Sequence, residues 1–326
     1  MTMRFTARAA ALPLLAIAGL AGPARAQPTV KLSSVRPGNG DPVLVTVTDA
    51  KSRPKGKVDG KQLLFFESRG GYQAVFAVPL ERKPGPLTVT LRGGLPSQTI
   101  DILDDKFPET QVQVPDEFVN LTPELRKRVD EDNRAIRKSF GKANGPPQFR
   151  RAFQWPVTSL PTSPFGEMRT FNGVARSHHL GMDLASREGA KIRSINEGTV
   201  VLVRDCFLPG KVVVVSHGAG IASAYFHLSE MLVAEGDLVE RGTIIGRTGQ
   251  TGRVTGPHVH LSVWALNDFV DPAEFFRLAF LPRESPLTPA ARKSAAEAKS
   301  AAADKQKDRD KGKDSGKSAG RGKSGK

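Results

Sequence analysis

Gly256-Pro257-His258-Val259-His260-Leu261 sets two imidazoles two residues apart at the start of a β-rich run that continues to Trp264. Side chains two apart on a strand share a face, so His258 and His260 can serve one site. One can bind a metal while the other handles protons. Upstream, Ser177-His178-His179-Leu180-Gly181-Met182-Asp183 supplies a second pair, His179 and Asp183. Between the two lies Tyr225-Phe226-His227-Leu228. The surrounding chain is built for strands: Val200–Val203, Val212–Val215, Ile221–Phe226 and Thr243–Ile245 are β-rich runs separated by glycines and turn pairs. From Ala152 onward no helix of any length is expected before Pro272–Leu278. Residues 150–280 therefore read as an all-β, mainly antiparallel domain.

Catalytic zinc takes three protein ligands and keeps a position for water. His179, Asp183 and His260 match that count. In an extended segment His179, Gly181 and Asp183 would face one way, with Gly181 leaving room beside the metal and His260 arriving from another strand. His227 and His258 are then free for proton transfer and for stabilising a tetrahedral intermediate. The helical H-E-x-x-H zinc signature is absent.

Taken in order, Phe165-Gly166, His179-x-Gly181-x-Asp183-Leu184-Ala185, Tyr225-x-His227-Leu228, Gly249-x-Thr251-Gly252 and Gly256-Pro257-His258-x-His260 resemble the lysostaphin-type zinc endopeptidases, which are bacterial peptidoglycan hydrolases. The resemblance covers about residues 150–276. It implies a lysostaphin-type β-sheet fold and Zn2+ as cofactor. It also implies His179, Asp183 and His260 as metal ligands, His227 and His258 as the catalytic pair, and peptidoglycan as substrate. Two departures stand out. Some relatives carry a tyrosine shortly before the first ligand; here that stretch is Thr170-Phe171-Asn172-Gly173, and the only tyrosines are Tyr72 and Tyr225. Val259 also replaces the leucine often found inside the histidine pair.

The chain has only six histidines, and five of them, including His178, fall in these motifs. His178 should point to the opposite face of its extended segment from His179. His217, at a strand end before a glycine, reads as a turn residue or an outer neighbour of the site. Glu197, Glu230, Glu235 and Glu240 read as solvated turn carboxylates. Arg253 and Thr255 are candidates for lining a substrate groove or for ordinary turn roles.

Residues 27–110 show short strands at roughly ten-residue spacing, clearest at Val43–Thr48, Leu63–Phe66, Gln73–Val78 and Leu87–Leu91. That spacing fits a small β-sandwich. Residues 111–149 form a linker with a helix over about 122–140. Thr122 is its cap, Pro123 lies in its first turn, and Leu125, Val129, Ile136 and Phe140 make its apolar stripe.

Residues 1–26 have the pattern of a cleavable signal peptide: Arg4 and Arg8, an apolar run from Ala9 to Ala21, then Ala24-Arg25-Ala26. Export to a periplasmic or extracellular location follows, with no transmembrane segment expected in the mature chain. Cys206 is the only cysteine, so no intrachain disulfide can support the fold. The formal net charge is +15. Part of it lies in residues 281–326, read as a disordered basic tail, where 12 Lys/Arg against 5 Asp/Glu follow Glu284. Such a tail is a solvated tether or an adhesion segment for anionic envelope polymers, and export argues against nucleic acid as a partner. The leading expectation is an active wall endopeptidase. A non-enzymatic wall-binding regulator is the alternative. A swinging-arm carrier is suggested only by the hairpin pattern of residues 233–246, which lacks a lysine at a tight turn.

Overall fold

The longest strands form where β-branched residues run together. A computed structural model describes residues 27–266 and 268–281. Most of the tail and the whole of residues 1–26 lie outside the described residues, so the signal-peptide and tail expectations are left as they stand. Gly198–Cys206, Gly210–Gly218 and Ile221–Met231 form two successive antiparallel hairpins in a sheet of ten strands. The second hairpin turns through Gly218, Ala219 and Gly220, all at positive φ. At Gly218 an added Cβ would lie 1.8 Å from the Pro146 carbonyl oxygen, so only glycine fits there.

The sheet continues from Ile221–Met231 to His258–Ala265, then Met182–Ala185, then Pro161–Ser163. This register puts Asp183 opposite His260, and His260 opposite Phe226 on its other side. The sheet face behind the histidines is dry. Leu184, Val213, Val215, Tyr225, Val259, Leu261 and Val263 are all fully buried. The all-β, mainly antiparallel reading of this region is what the structure shows.

A three-stranded sheet flanks the site. It is ordered Ala175–His178, Met168–Phe171 and Glu109–Val112, and its last pair is parallel. The segment leading out of the N-terminal region thus lies directly beside the strand that carries Arg169.

The helix Pro123–Phe140 begins where Thr122 predicts it, with the Thr122 hydroxyl accepting from the Leu125 N–H at 3.3 Å. Val129, Ile136 and Phe140 are buried on its apolar stripe. Phe140 stacks on Trp264 with ring centroids 4.8 Å apart. Asp132 fixes the helix to the first hairpin by accepting from Arg204 Nε and from the Phe207 N–H, each at 2.8 Å. Among the described residues, no helix is long and apolar enough to cross a membrane.

Residues 29–102 form two four-stranded antiparallel sheets. One departure from the sequence reading is instructive. The sequence pattern predicts a strand over Leu63–Phe66, but Lys61–Gln62 belongs to one sheet and Phe66–Ser68 to the other. The residues between cross over, and Leu63 and Phe65 are buried between the layers. A short apolar run satisfies burial equally well as a strand or as a crossover plug, and periodicity cannot separate the two.

The interior does not stop at the end of these sheets. Leu44, Phe66, Val75 and Ala77 share one buried cluster with Phe149, Phe153, Val263, Phe275 and Phe280. Phe66 meets Phe149 edge-on at 5.4 Å. The Gln73 side chain accepts from the Leu281 N–H and donates to the Ala279 carbonyl.

Candidate metal centre

Asp183 and His260 face each other across adjacent strands, and His179 joins them from outside the sheet. The sequence reading placed His179 and Asp183 on one extended segment, and the structure corrects this. Ala175–His178 and Met182–Ala185 belong to different sheets, and residues 179–181 turn between them. The turn is held by the His179 N–H donating to the Glu167 carbonyl and by the Gly166 N–H donating to the His179 carbonyl. At Gly181 an added Cβ would lie 2.5 Å from both His260 Nε2 and the Leu261 carbonyl oxygen. Glycine is required there by the close approach of strand and imidazole.

The potential ligand atoms converge. His179 Nε2 is 3.0 Å from Asp183 Oδ1 and 2.8 Å from His260 Nδ1, and His260 Nδ1 is 2.9 Å from Asp183 Oδ1. The outer nitrogen of each ring is already committed. His179 Nδ1 is 2.7 Å from the Pro164 carbonyl, which can only accept, so this nitrogen carries the hydrogen. His260 Nε2 donates to Ser262 Oγ at 3.0 Å, and that hydroxyl donates on to the Leu180 carbonyl at 2.7 Å. In the neutral rings both inward nitrogens are therefore lone pairs, aimed at each other and at a carboxylate oxygen. Three electron-rich atoms this close repel unless a cation lies among them. Two imidazoles and one carboxylate, with outer partners fixing the tautomers, suit zinc. His179, Asp183 and His260 also form a group whose ligand atoms all lie within 4.8 Å of one another.

Burial pushes the Asp183 carboxyl upward, but the neighbouring imidazoles outweigh it and hold the group well below the usual carboxylate range. Burial pushes His260 down to about 4. His227 is driven down to about 3 by burial and by the charges of His258 and His260.

His227 and His258 lie beside this cluster. Their ring centroids are 5.0 Å apart, and His227 is 6.1 Å from His260. His258 Nε2 is 3.6 Å from Asp183 Oδ1. Each ring donates its Nδ1 hydrogen to a backbone carbonyl, His227 to Thr251 at 2.9 Å and His258 to Gly256 at 2.8 Å. That leaves both Nε2 atoms free to accept a proton. His227 has φ of +61°, a conformation that L residues adopt at a cost. It sits where the pairing between Gly210–Gly218 and Ile221–Met231 shifts register. Backbone strain of this kind persists when the surrounding structure over-determines it.

The remaining candidates fall elsewhere. His178 donates from Nδ1 to the Gly166 carbonyl at 2.9 Å. His217 is fully buried between the Glu197 carbonyl and Ser223. Glu197 pairs with Arg150, Glu230 pairs with Arg247, and Glu235 accepts from the Val203 N–H. Glu240 takes part in a turn with Thr243.

The structure adds groups that the sequence reading did not single out. Arg169 Nη2 donates to Asp183 Oδ2 at 2.6 Å, and Arg169 Nε donates to Glu167 at 2.8 Å. Glu167 also accepts from the Ser163 and Thr110 hydroxyls. Asp183 thus offers one oxygen to the imidazoles while Arg169 holds the other. The only signal in the sequence was that Arg169 follows the Phe165-Gly166 motif.

Residues 177–272 match peptidase family M23, and over this segment the chain carries an M23 peptidase domain. The chain is 41% identical over 115 residues to the peptidoglycan DD-endopeptidase ShyA of Vibrio cholerae, covering 34% of this chain and 27% of that protein. It is 41% identical over 93 residues to ShyB, named likewise, of the same organism, covering 28% of this chain and 22% of that protein. The chain therefore spans less than a third of the length of these relatives. A crystal structure named as peptidase M23 from Pseudomonas aeruginosa superposes with a TM-score of 0.58 at 29% identity, covering 74% of this chain and 95% of that one.

Proposed function

We propose that this chain is an exported zinc-dependent endopeptidase that hydrolyses peptide bonds in peptidoglycan stems or cross-links. The observation that carries the reading is the convergence of His179 Nε2, Asp183 Oδ1 and His260 Nδ1, with two further imidazoles presenting free Nε2 atoms alongside. The names of the M23 relatives support peptidoglycan as the substrate. They also favour a bond of the D,D type, such as a D-alanyl–diaminopimelate link. The Lys/Arg-rich segment after Leu281 would hold the enzyme near anionic envelope polymers.

His179, Asp183 and His260 would hold the ion, which supplies Lewis acidity to the scissile carbonyl and to the attacking water. His258 and His227 do the proton work. As the water oxygen bonds to the carbonyl carbon, an imidazole Nε2 takes the water's proton. As the carbon–nitrogen bond breaks, a proton passes to the leaving amine, giving a carboxylate and an amine. Once protonated at Nε2, that imidazole also faces the oxygen that gains charge and steadies it until the proton is passed on.

Purified sacculi incubated with the protein should release muropeptides, and a chelator should stop the release. His258→Ala should keep stoichiometric zinc and lose turnover by roughly a hundredfold or more. His260→Ala should lose both. Wild-type turnover in His258→Ala, or zinc bound at full stoichiometry with no cleavage of any wall substrate, would overturn the reading.

A further inference from the structure

Arg253 lies in a loop whose ends meet in a bridge between Gly249 and His258. The same loop holds His227 through the Thr251 carbonyl. The Arg253 N–H donates to the Leu208 carbonyl at 2.8 Å, which ties the loop to the first hairpin. The guanidinium lies over the neighbouring wall, with Cζ 3.7 Å from the centroid of the Phe171 ring. Phe171 is on the strand of Arg169, which holds Asp183. The cation therefore sits between the two segments that position the proposed ligands and the proton-transfer pair.

Arg253 is unlike the other half-buried arginines. Arg169 has Asp183 and Glu167, Arg204 has Asp132, and Arg150 has Glu197. Among the described residues no carboxylate pairs with Arg253 and no acceptor is bonded to its guanidinium. Burial and then the charge of Arg169 bring its pKa down to about 10, so it remains a cation at neutral pH. Partly desolvated and set over an aromatic ring, the guanidinium is held ready with its donors unspent. The complementary group is a carboxylate, which a guanidinium can take in a two-pronged contact.

We propose that Arg253 binds a free carboxylate of the substrate adjacent to the scissile amide. This rests on the endopeptidase reading above and narrows its substrate class. A cross-link made through the second amine of a diamino dicarboxylic acid such as diaminopimelate leaves that centre's own carboxylate free, one carbon from the amide nitrogen. A glycine bridge has only amides at the equivalent place. Arg253 thus selects cross-links to a diamino dicarboxylic acid with that carboxylate unmodified, and amidation of it protects the wall.

The test uses the zinc-loaded full chain and two uncleavable cross-linked peptides in which a methyleneamine replaces the scissile amide. One carries the free carboxylate and the other its carboxamide. Calorimetry should show the free acid binding roughly ten- to hundredfold more tightly. Arg253→Met should bind both peptides as weakly as the wild type binds the amide, with its zinc content unchanged, and Arg253→Lys should keep part of the preference. Equal binding of both peptides by the wild type, or a preference that survives in Arg253→Met, overturns the proposal. Turnover of the cleavable peptides is scored separately. Discrimination in binding without any turnover would refute the endopeptidase reading and leave the carboxylate site standing.

Discussion

At the scale of single residues, the centre depends on groups that are not themselves ligands. Arg169 holds one oxygen of Asp183 and leaves the other for the imidazoles. Outer partners of this kind orient a ligand and typically change metal affinity by about 10–100-fold. Arg169→Met should weaken zinc binding by about that factor, read by competition with a coloured chelator, while His179→Ala should cost far more. Gly181 has a different task. A methyl group there would press on the His260 ring and on a backbone oxygen that cannot move aside. Gly181→Ala should cost about 1–3 kcal/mol of stability and lower zinc occupancy, measured by denaturant unfolding and metal analysis. His258 and His260 could be placed together from their spacing, because two histidines two apart on a strand share a face, whereas His179 and Asp183 meet through a turn and not along the extended segment their spacing suggests. Arg169 could not be so placed. A lone arginine on a strand is most often a solvated cation, and only the turn at residues 179–181 brings Asp183 within its reach.

The elements show the same division between what pattern reveals and what packing decides. The helix was legible to within a residue because its cap, its proline and its apolar stripe agree. The crossover at Leu63–Phe65 was not, since nothing local distinguishes a buried strand from a buried connection. Nor did any local pattern foretell the parallel pairing of Glu109–Val112 with Met168–Phe171, a contact between segments about sixty residues apart. The helix also carries a buried charge whose partners lie on the hairpin. Asp132 is almost fully inaccessible and accepts from Arg204 and from the Phe207 N–H. Asp132→Ala should leave both donors without their acceptor and destabilise the protein by about 2 kcal/mol, seen as a lower urea midpoint with an unchanged slope.

For the molecule as a whole, acidity is a lever. His217 is fully buried, and burial pushes its pKa down to about 4 from 6.5. The unfolded chain binds this proton at higher pH than the folded one does. Its contribution is therefore complete above about pH 6.5 and is lost as pH falls toward 4. At 1.36 kcal/mol per unit the loss reaches about 3 kcal/mol. His217→Gln should be less stable at neutral pH, yet show a shallower decline of unfolding free energy between pH 6.5 and 4. An unchanged slope would mean that the buried imidazole already carries a proton in the folded state.

The shared interior around Phe66, Phe149, Phe275 and Phe280 has a practical consequence for anyone who would transplant the M23 domain onto another carrier. Cutting the gene before residue 150 would lay bare a ring of phenylalanines that now rests on Leu44, Phe66 and Val75. It would also strip Thr110 from the carboxylate that steadies Arg169. A working chimera would have to bring the leading sheets along, because the M23 domain has no finished outer wall of its own on that side.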